Sequence, residues 1–520
     1  MMETITKAVA RHASNRPDSA ALTDGIATLT WDEVNTWMQD AAGWLLDLGL
    51  ARGDLVLGWL PNCLEWHLLR LACEKAGMFW VPVPTSQGMR ELRSILDRTR
   101  PSLFVTKHHF RDHHYSAEAD KLCGELGLDP IRLTLPDEGV LKLSGTRPTE
   151  STELRLEERA HALPTSGSEG IPKLAVYTLG AACERAHAQA KLLELSPDDI
   201  ILVLSPGTGP ARAAWLAAPI AGSCVVAMPR FGTSSSLELA EKLRATMICG
   251  TPAQLAMLAA KLERFELSSV RIWYTAGSVV PPTLVEELEC RTSGVVISTY
   301  GGSDFGGWSS ADLHSSREVR MHSVGRPRGG TEFRILGDKG DEVQVKEIGE
   351  LIGRGPCAVS DFLGEEGRQA WRDGWFHTGD LARFDADGNL VIVGRLKEVI
   401  VRGGDKVSPI EIEALLRTHP TVAEVAVIGV ADPMLGERIC ACIVPVSNDE
   451  PPDLDGLKAF LDVKGLARYK VPEQLVLVDA MPIVGDKIDR VRLAKMVSAD
   501  GHFEPRSLPL GPPMEGPETR

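Results

Sequence analysis

A chain of 520 residues has room for about three folding units and for cores larger than one small domain can bury. With 43% hydrophobic and 24% charged residues it is an ordinary globular sequence, not a disordered, collagenous or coiled-coil one. Lys and Arg total 56 against 71 Asp and Glu, and the net −15 excludes a sequence-independent grip on nucleic acid or an anionic membrane, although a local basic pocket remains open.

In chain order, "MMETITKAVARHASNRPD" lacks an apolar leader core, and no later stretch approaches the ~18 uninterrupted apolar residues of a membrane span, so a cytoplasmic protein is expected. Thr30 and Glu33 form a capping box, and Val34, Trp37, Met38, Ala41, Leu45 and Leu48 recur at helical spacing until Gly49. "DLVLGWL", "MFWVPVP" and "SLFVT" then alternate with the helical "CLEWHLLRLACEKAG" and "MRELRSILDRTR". The rhythm returns in "IILVLS", "SCVVAM", "ATMICG", "VRIWYTA" and "GVVIST", each followed by a segment of helical length. Such alternation predicts parallel, doubly wound α/β sheets with ligand sites beyond the strand C-termini. From about residue 380 the texture changes: "FDADGNLVIVG" reads as a hairpin turning at Asp387-Gly388, and a compact α+β region of about 100 residues follows. The last twenty residues are Pro-rich and read as a disordered tail.

The ten cysteines lie in apolar runs without a C-x-x-C pair, which reads as buried small hydrophobes in a reducing compartment; Cys440 and Cys442 share one face of a strand. In "KHHFRDHHY", His109 and His113 have the i,i+4 spacing of helical metal ligands, but no H-E-x-x-H accompanies them and a solvated connection is the preferred reading.

Four segments carry candidate chemistry. Pro164–Lys173, "PTSGSEGIPK", combines small hydroxyl and glycine residues, which let backbone N–H groups approach a polyphosphate, with the charge of Lys173; it reads as a phosphate loop or a flexible surface loop, and its spacing is not that of a Walker A loop. Tyr300-Gly-Gly-Ser-Asp304 follows a strand and can stack a base and present a carboxylate to Mg²⁺, or form a βα turn with Asp304 as N-cap. "GWFHTGD" ends on Asp380, a candidate acceptor for a ribose diol, and Arg395 follows in "GRLKEVIVRGGDKVSP" as a phosphate contact. Gly485-Asp-Lys487-Ile-Asp-Arg490 holds a lysine that, taken alone, is a solvated turn residue.

In order and spacing these segments resemble the adenylate-forming superfamily of acyl-CoA synthetases, peptide-synthetase adenylation domains and luciferases, over roughly residues 10–500. The resemblance implies an α/β fold: a large N-terminal domain of doubly wound subdomains plus a β-rich part (1–396), a small mobile α+β C-terminal domain (397–500) and the tail (501–520). It also implies ATP, Mg²⁺ and coenzyme A, with a carboxylic acid activated as its adenylate and passed to a thiol. Lys487 would bridge carboxylate and phosphate oxygens. Thr165, Ser166, Gly167, Ser168, Gly170 and Lys173 would hold the phosphates, with Ser303 near the α-phosphate and Asp304 on Mg²⁺. Gly277, Tyr300 and Gly301 would flank the adenine, Asp380 would take the ribose, and Arg395 would support ribose or phosphate. Lys397 matches the hinge, and Gly403 and Gly404 would face the pantetheine arm. Thr208, Arg212, Thr275 and Gly302 would line the acid pocket.

Three positions depart from the family pattern: Glu169 for the usual threonine, Asp304 for glutamate, and Ser205–Arg212 for an aromatic-His element. The 205–215 segment has no acid to hold an α-ammonium, so an aryl, alicyclic or short-to-medium aliphatic acid is expected over an amino acid. Arg212 reads as an exposed or salt-bridged arginine at a helix start in preference to a partner for a second carboxylate. No carrier domain follows Arg490, which favours free CoA over a carrier-protein acceptor; a monomer or homodimer is expected. A binding homologue with eroded turnover and a luciferase-like oxidative use are the competing readings.

Overall fold

A computed structural model describes residues 2–165, 172–204, 209–365, 367–403, 405–447, 449–484 and 487–499, with backbone alone at positions 150, 406, 484, 487, 498 and 499. It divides into two compact units, Met1–Thr378 with Ala382–Ile392, and Gly379–Leu381 with the chain from Val393 onward. The Pro-rich tail lies outside the described residues.

Two large sheets organise the first unit. One runs Asp361–Leu363, Lys173–Thr178, Arg159–Thr165, Phe79–Pro84, Leu55–Leu60, Leu103–Lys107, Ile131–Leu135. Its inner strands are parallel and buried along nearly their whole length, as expected of strands covered on both faces by helices. The other runs Arg326–Arg328, Trp308–Ser310, Val295–Tyr300, Ile272–Ala276, Met247–Gly250, Ile200–Val203, Cys224–Ala227, Ala20–Thr23, Thr28–Thr30. From Val295–Tyr300 to Ala20–Thr23 it is parallel, with antiparallel strands added at both edges. Trp66, Trp80, Tyr177, Trp215 and Phe305 fill the largest core. A third sheet, Glu332–Leu336, Gly349–Arg354, Trp375–Phe384 and Trp371–Arg372, has Leu390–Arg395 paired to Trp375–Phe384; the division between the units falls within these last two long strands.

The second unit holds Asp405–Val407, Ile400–Arg402, Gly436–Pro445 and Val422–Asp432 in one sheet, with Gln474–Leu477 parallel to Gly436–Pro445. Helices Pro409–Leu416 and Leu454–Val463 bury Ile412, Leu416, Leu457 and Leu461 in its core.

Local signals behave as the sequence dictates. Thr30 accepts from the Glu33 N–H and Glu33 returns a bond to the Thr30 N–H, starting helix Trp31–Asp47, and Gly49 beyond its end has φ +81. One reading is corrected and two alternatives fall away. Cys290 is exposed, unlike the other nine cysteines. His109 and His113 precede the helix, which begins at Tyr115, so no helical i,i+4 pair exists there. Asp304 caps no helix: Phe305 and Gly306 donate back to the Gly302 carbonyl, and the chain returns as antiparallel strand Trp308–Ser310.

Candidate active site

The phosphate-loop segment is the connection of a β-hairpin. Thr165 ends one strand directly opposite Lys173, which begins the next, so the two described flanks are fixed by ladder pairing. Ser166, Gly167, Ser168, Glu169 and Gly170 lie outside the described residues. The Thr165 hydroxyl is buried without a partner among the described residues.

Several of the residues expected to meet nucleotide and acid lie at the carboxyl ends of neighbouring parallel strands. In register, Gly250 stands beside Thr275, Ala276 beside Thr299, and Cys249 beside Val203. Thr251–Pro252, Thr275–Gly277 and Tyr300–Asp304 therefore emerge along one sheet edge. The strand Ile200–Val203 is followed by its neighbour on one side, Cys224–Ala227, and the chain then crosses to Met247–Gly250 on the other. That reversal opens a crevice between Ile200–Val203 and Met247–Gly250, the usual ligand position of an open α/β sheet. Gly277 has φ +102, a conformation that leaves no comfortable place for a side chain. Tyr300 is half-buried and tilted against Phe333, ring centres 6.1 Å apart.

Tyr177 ties the hairpin to the turn: its hydroxyl donates to the Ser303 carbonyl at 2.6 Å. Gly306, at φ +87, cannot be larger, since a Cβ there would lie 2.3 Å from the Cys357 carbonyl oxygen and 2.9 Å from Tyr177 Cε1. Asp304 is partly exposed and makes no ion pair among the described residues; a Cβ on Gly302 would sit 2.3 Å from its Oδ1, so glycine gives the carboxylate its place. Thr275 is buried with its hydroxyl unpartnered among the described residues. Thr208 lies outside the described residues. Arg212 departs from expectation, being 4% exposed and in no ion pair among the described residues. It precedes a short π-helical turn, Ala213–Ala217, with its guanidinium over the Tyr177 ring.

In the second unit Asp380 and Arg395 face each other, Arg395 Nε donating to Asp380 Oδ1 at 2.8 Å, with Asp380 buried and Arg395 exposed. The Ser408 hydroxyl donates to the Val393 carbonyl at 2.5 Å and fills the space a side chain at Gly394 would need. Lys397 is exposed in the single turn Leu396–Glu398 just beyond. Gly403 has φ +58 and donates to the Leu435 carbonyl; Gly404 lies outside the described residues. Lys487 pairs with Val484 in a two-residue hairpin, Ile483–Val484 against Lys487–Ile488. Three residues on, Arg490 Nη1 lies 2.7 Å from buried Glu413 and donates to the Val427 carbonyl at 2.8 Å.

Sequence reasoning missed Tyr177, Arg185 and the Arg490–Glu413 pair. Tyr177 left a trace: at an inward position of "KLAVYT", a buried hydroxyl must find a partner.

Doubly wound sheets with glycine- and hydroxyl-rich elements at the strand ends, and a separate α+β unit, define a nucleotide-using α/β enzyme. The particular family is then clear. Residues 9–363 match the AMP-binding enzyme family and residues 411–485 the AMP-binding enzyme C-terminal domain, so the chain belongs to the adenylate-forming enzymes. It is 30% identical to an indoleacetate–CoA ligase of Aromatoleum aromaticum, across 91% of this chain and 94% of that one. It is 28% identical to a medium-chain fatty-acid–CoA ligase of Escherichia coli, across 92% and 88%. The ATP-bound structure of MatB from Rhodopseudomonas palustris shares the fold, with a TM-score of 0.84 at 24% identity across 95% and 99%. The chain is thus an ATP-using, AMP-forming acid–thiol ligase, the class its motifs imply. Among the described residues no helix is long and apolar enough to cross a membrane.

Proposed function

We propose that this enzyme ligates a small carboxylic acid, aryl, alicyclic or short-to-medium aliphatic, to free coenzyme A in the cytoplasm. The carrying observation is the union of the Thr165/Lys173 hairpin with the 300–304 turn through Tyr177 and Ser303. A carboxylate is a poor acyl donor because oxide would have to leave. Attack of the carboxylate oxygen on the α-phosphorus of ATP forms a mixed anhydride and expels pyrophosphate; thiolate attack on the acyl carbon then expels AMP.

The first step brings an anion to a polyanion, so charge neutralisation and positioning supply most of the catalysis. Lys487 is our candidate for that neutralisation, with Lys173 and Thr165 on the outer phosphates and Ser303 by the α-phosphate. Thr165's hydroxyl, unpartnered among the described residues, fits a ligand oxygen. Asp304, a hard oxygen donor without an ion pair among the described residues, fits Mg²⁺, which would neutralise phosphate charge when bound. Gly277 and Tyr300 are proposed to border the adenine, and Asp380 and Arg395 to serve the ribose and phosphate side. Lys397 is proposed as the hinge at the start of the mobile domain, and Gly403 and Gly404 as the pantetheine contact.

Acid-dependent ATP–pyrophosphate exchange, followed by thioester formation with CoA, tests the reading. Exchange without acyl-CoA would move the acceptor to a carrier protein; no exchange with any acid would end the ligase reading. Lys397→Pro is expected to spare exchange and suppress thioester formation by at least about tenfold. An equal loss in both would remove Lys397 as the hinge.

A further inference from the structure

Two buried arginines of the first unit stand beneath the 300–308 turn with no carboxylate partner among the described residues. Arg212 is 4% exposed and Arg185, on helix Leu179–Leu192, is 5% exposed. Arg212 Nη1 lies 3.3 Å from the Tyr177 hydroxyl, and its guanidinium carbon is 4.6 Å from the centre of that ring. Its Nε and Nη2 are buried and unpartnered among the described residues. Arg185 lies 4.1 Å from the centre of the Trp308 ring and donates to the Gly306 carbonyl at 3.3 Å and to Gln189 at 3.5 Å. Tyr177, Gly306 and Trp308 all belong to the turn or bond to it, so both cations converge on the same wall.

The surroundings make this charge costly to hold. Burial, and after it the Arg212 charge, push Arg185 down to about 10. His161, stacked on Tyr177 with ring centres 5.1 Å apart, is pushed well below its usual range by burial, Arg212 and Arg70, so it stays neutral and offers no negative charge. Arg70, by contrast, has its own acid, Glu74, four residues away on one helix. A guanidinium taken out of water is tolerated where a fixed acid meets it or where an arriving anion does. Orphaned N–H donors beside a second cation, in aromatic surroundings of low dielectric, suit the anion.

We propose that Arg212 and Arg185 form a subsite for a second carboxylate on the substrate acid, so that dicarboxylic acids are preferred over monocarboxylic acids of the same length. The inference rests on the ligase reading above and narrows it. The reacting carboxylate meets ATP on the Ser303 side, and the distal one binds the guanidinium pair, which fixes both the length and the orientation of the acid.

The test uses the full chain, ATP, Mg²⁺ and CoA with matched acids: hexanoate against hexanedioate, octanoate against octanedioate, benzoate against benzene-1,4-dicarboxylate. In at least one pair the diacid is expected to have the higher kcat/KM by about tenfold or more, since a site built for a polar group rejects the analogue that lacks it. Arg212→Met should lower the diacid-to-monoacid ratio about tenfold through KM, and Arg212→Lys, which keeps the charge but loses the planar fork and the stacking on Tyr177, should retain only part of it. Arg185→Gln reads the second cation independently should the first variant fail to fold, which its thermal transition reports. Preference for monoacids in every pair, or an unmoved ratio in folded variants, overturns the subsite and leaves Arg212 as a brace for Tyr177. Absence of exchange with every acid overturns the ligase reading and this one together.

Discussion

Arg490 in the second unit and Arg212 in the first are both drawn out of water at the edge of a functional segment, yet their partners differ. Arg490 meets Glu413 at 2.7 Å and Glu398 at 3.4 Å and also bonds a backbone carbonyl. Its charge is answered within the fold, and its task is to hold the chain just after Lys487. Arg212 has a phenol hydroxyl, an aromatic face and donors unpartnered among the described residues. The contrast separates a cation that builds structure from one kept for a ligand.

The largest effect should come from Lys487 itself. Lys487→Ala is expected to lower acid-dependent ATP–pyrophosphate exchange by about a hundredfold or more, since it removes charge stabilisation from the phosphoryl-transfer step. Conversion of a pre-formed acyl adenylate to acyl-CoA should change far less. Equal losses in both assays would mean that Lys487 supports the fold or binding in general, and would place it with Arg490.

Removing the acid from the answered pair comes next. Glu413→Gln keeps the size of the side chain and leaves Arg490 with only the more distant Glu398 as counter-charge. Because Arg490 retains 21% side-chain exposure, the loss should be about 2–3 kcal/mol, below the full cost of breaking a deeply buried pair. Denaturant unfolding measures it; a change under about 0.5 kcal/mol would show the pair to be dispensable.

How much of this was legible beforehand follows from chemistry that repeats locally. Thr30 with Glu33 announces a helix because both halves of the cap lie within one turn of sequence. The strand ends at Gly250, Ala276 and Tyr300 could be anticipated because apolar runs bounded by glycine or proline recur in order. Tyr177 with Ser303, and Arg185 with Trp308, join residues more than a hundred positions apart, and no local pattern encodes them. Arg212 was misread for a related reason: surface exposure is the sound prior for an arginine at a helix start, and only the packing of Tyr177 against it overrules that prior. Asp380 and Arg395 were each assigned to nucleotide; that they bond each other became visible only once the strands Trp375–Phe384 and Leu390–Arg395 were paired.

Acid should expose the first unit through its neutral histidines. Burial, and after it Arg70, push His67 down to about 3, while burial, Arg212 and Arg70 push His161 well below its usual range. Both folded values lie under the unfolded value, so below about pH 6.5 the unfolded chain binds protons that the folded one refuses. Stability is therefore complete above that pH and lost as pH falls toward the folded values, by about 1.4 kcal/mol per pH unit for each histidine once well below 6.5. His161→Gln should remove one histidine's share of the slope, measured as the pH dependence of unfolding. A slope unchanged by that substitution would mean that His161 is protonated in the folded state and that the guanidiniums beside it are better screened than their burial indicates.

The smallest expected change is the most discriminating for the opening contrast. Arg212→Met replaces an unanswered buried guanidinium by an apolar chain of similar reach. Replacing buried ionic groups with well-packed apolar ones is often neutral or stabilising, whereas orphaning a partner is not, and Arg212 has no described carboxylate to orphan. What the variant does give up is one bond to the Tyr177 hydroxyl, which keeps its donation to Ser303, together with the cation's attraction to that ring. These terms oppose one another, so unfolding free energy in the absence of substrate should shift by no more than about 1 kcal/mol in either direction. A loss of about 3 kcal/mol would place Arg212 with Arg490 as a cation the fold itself requires.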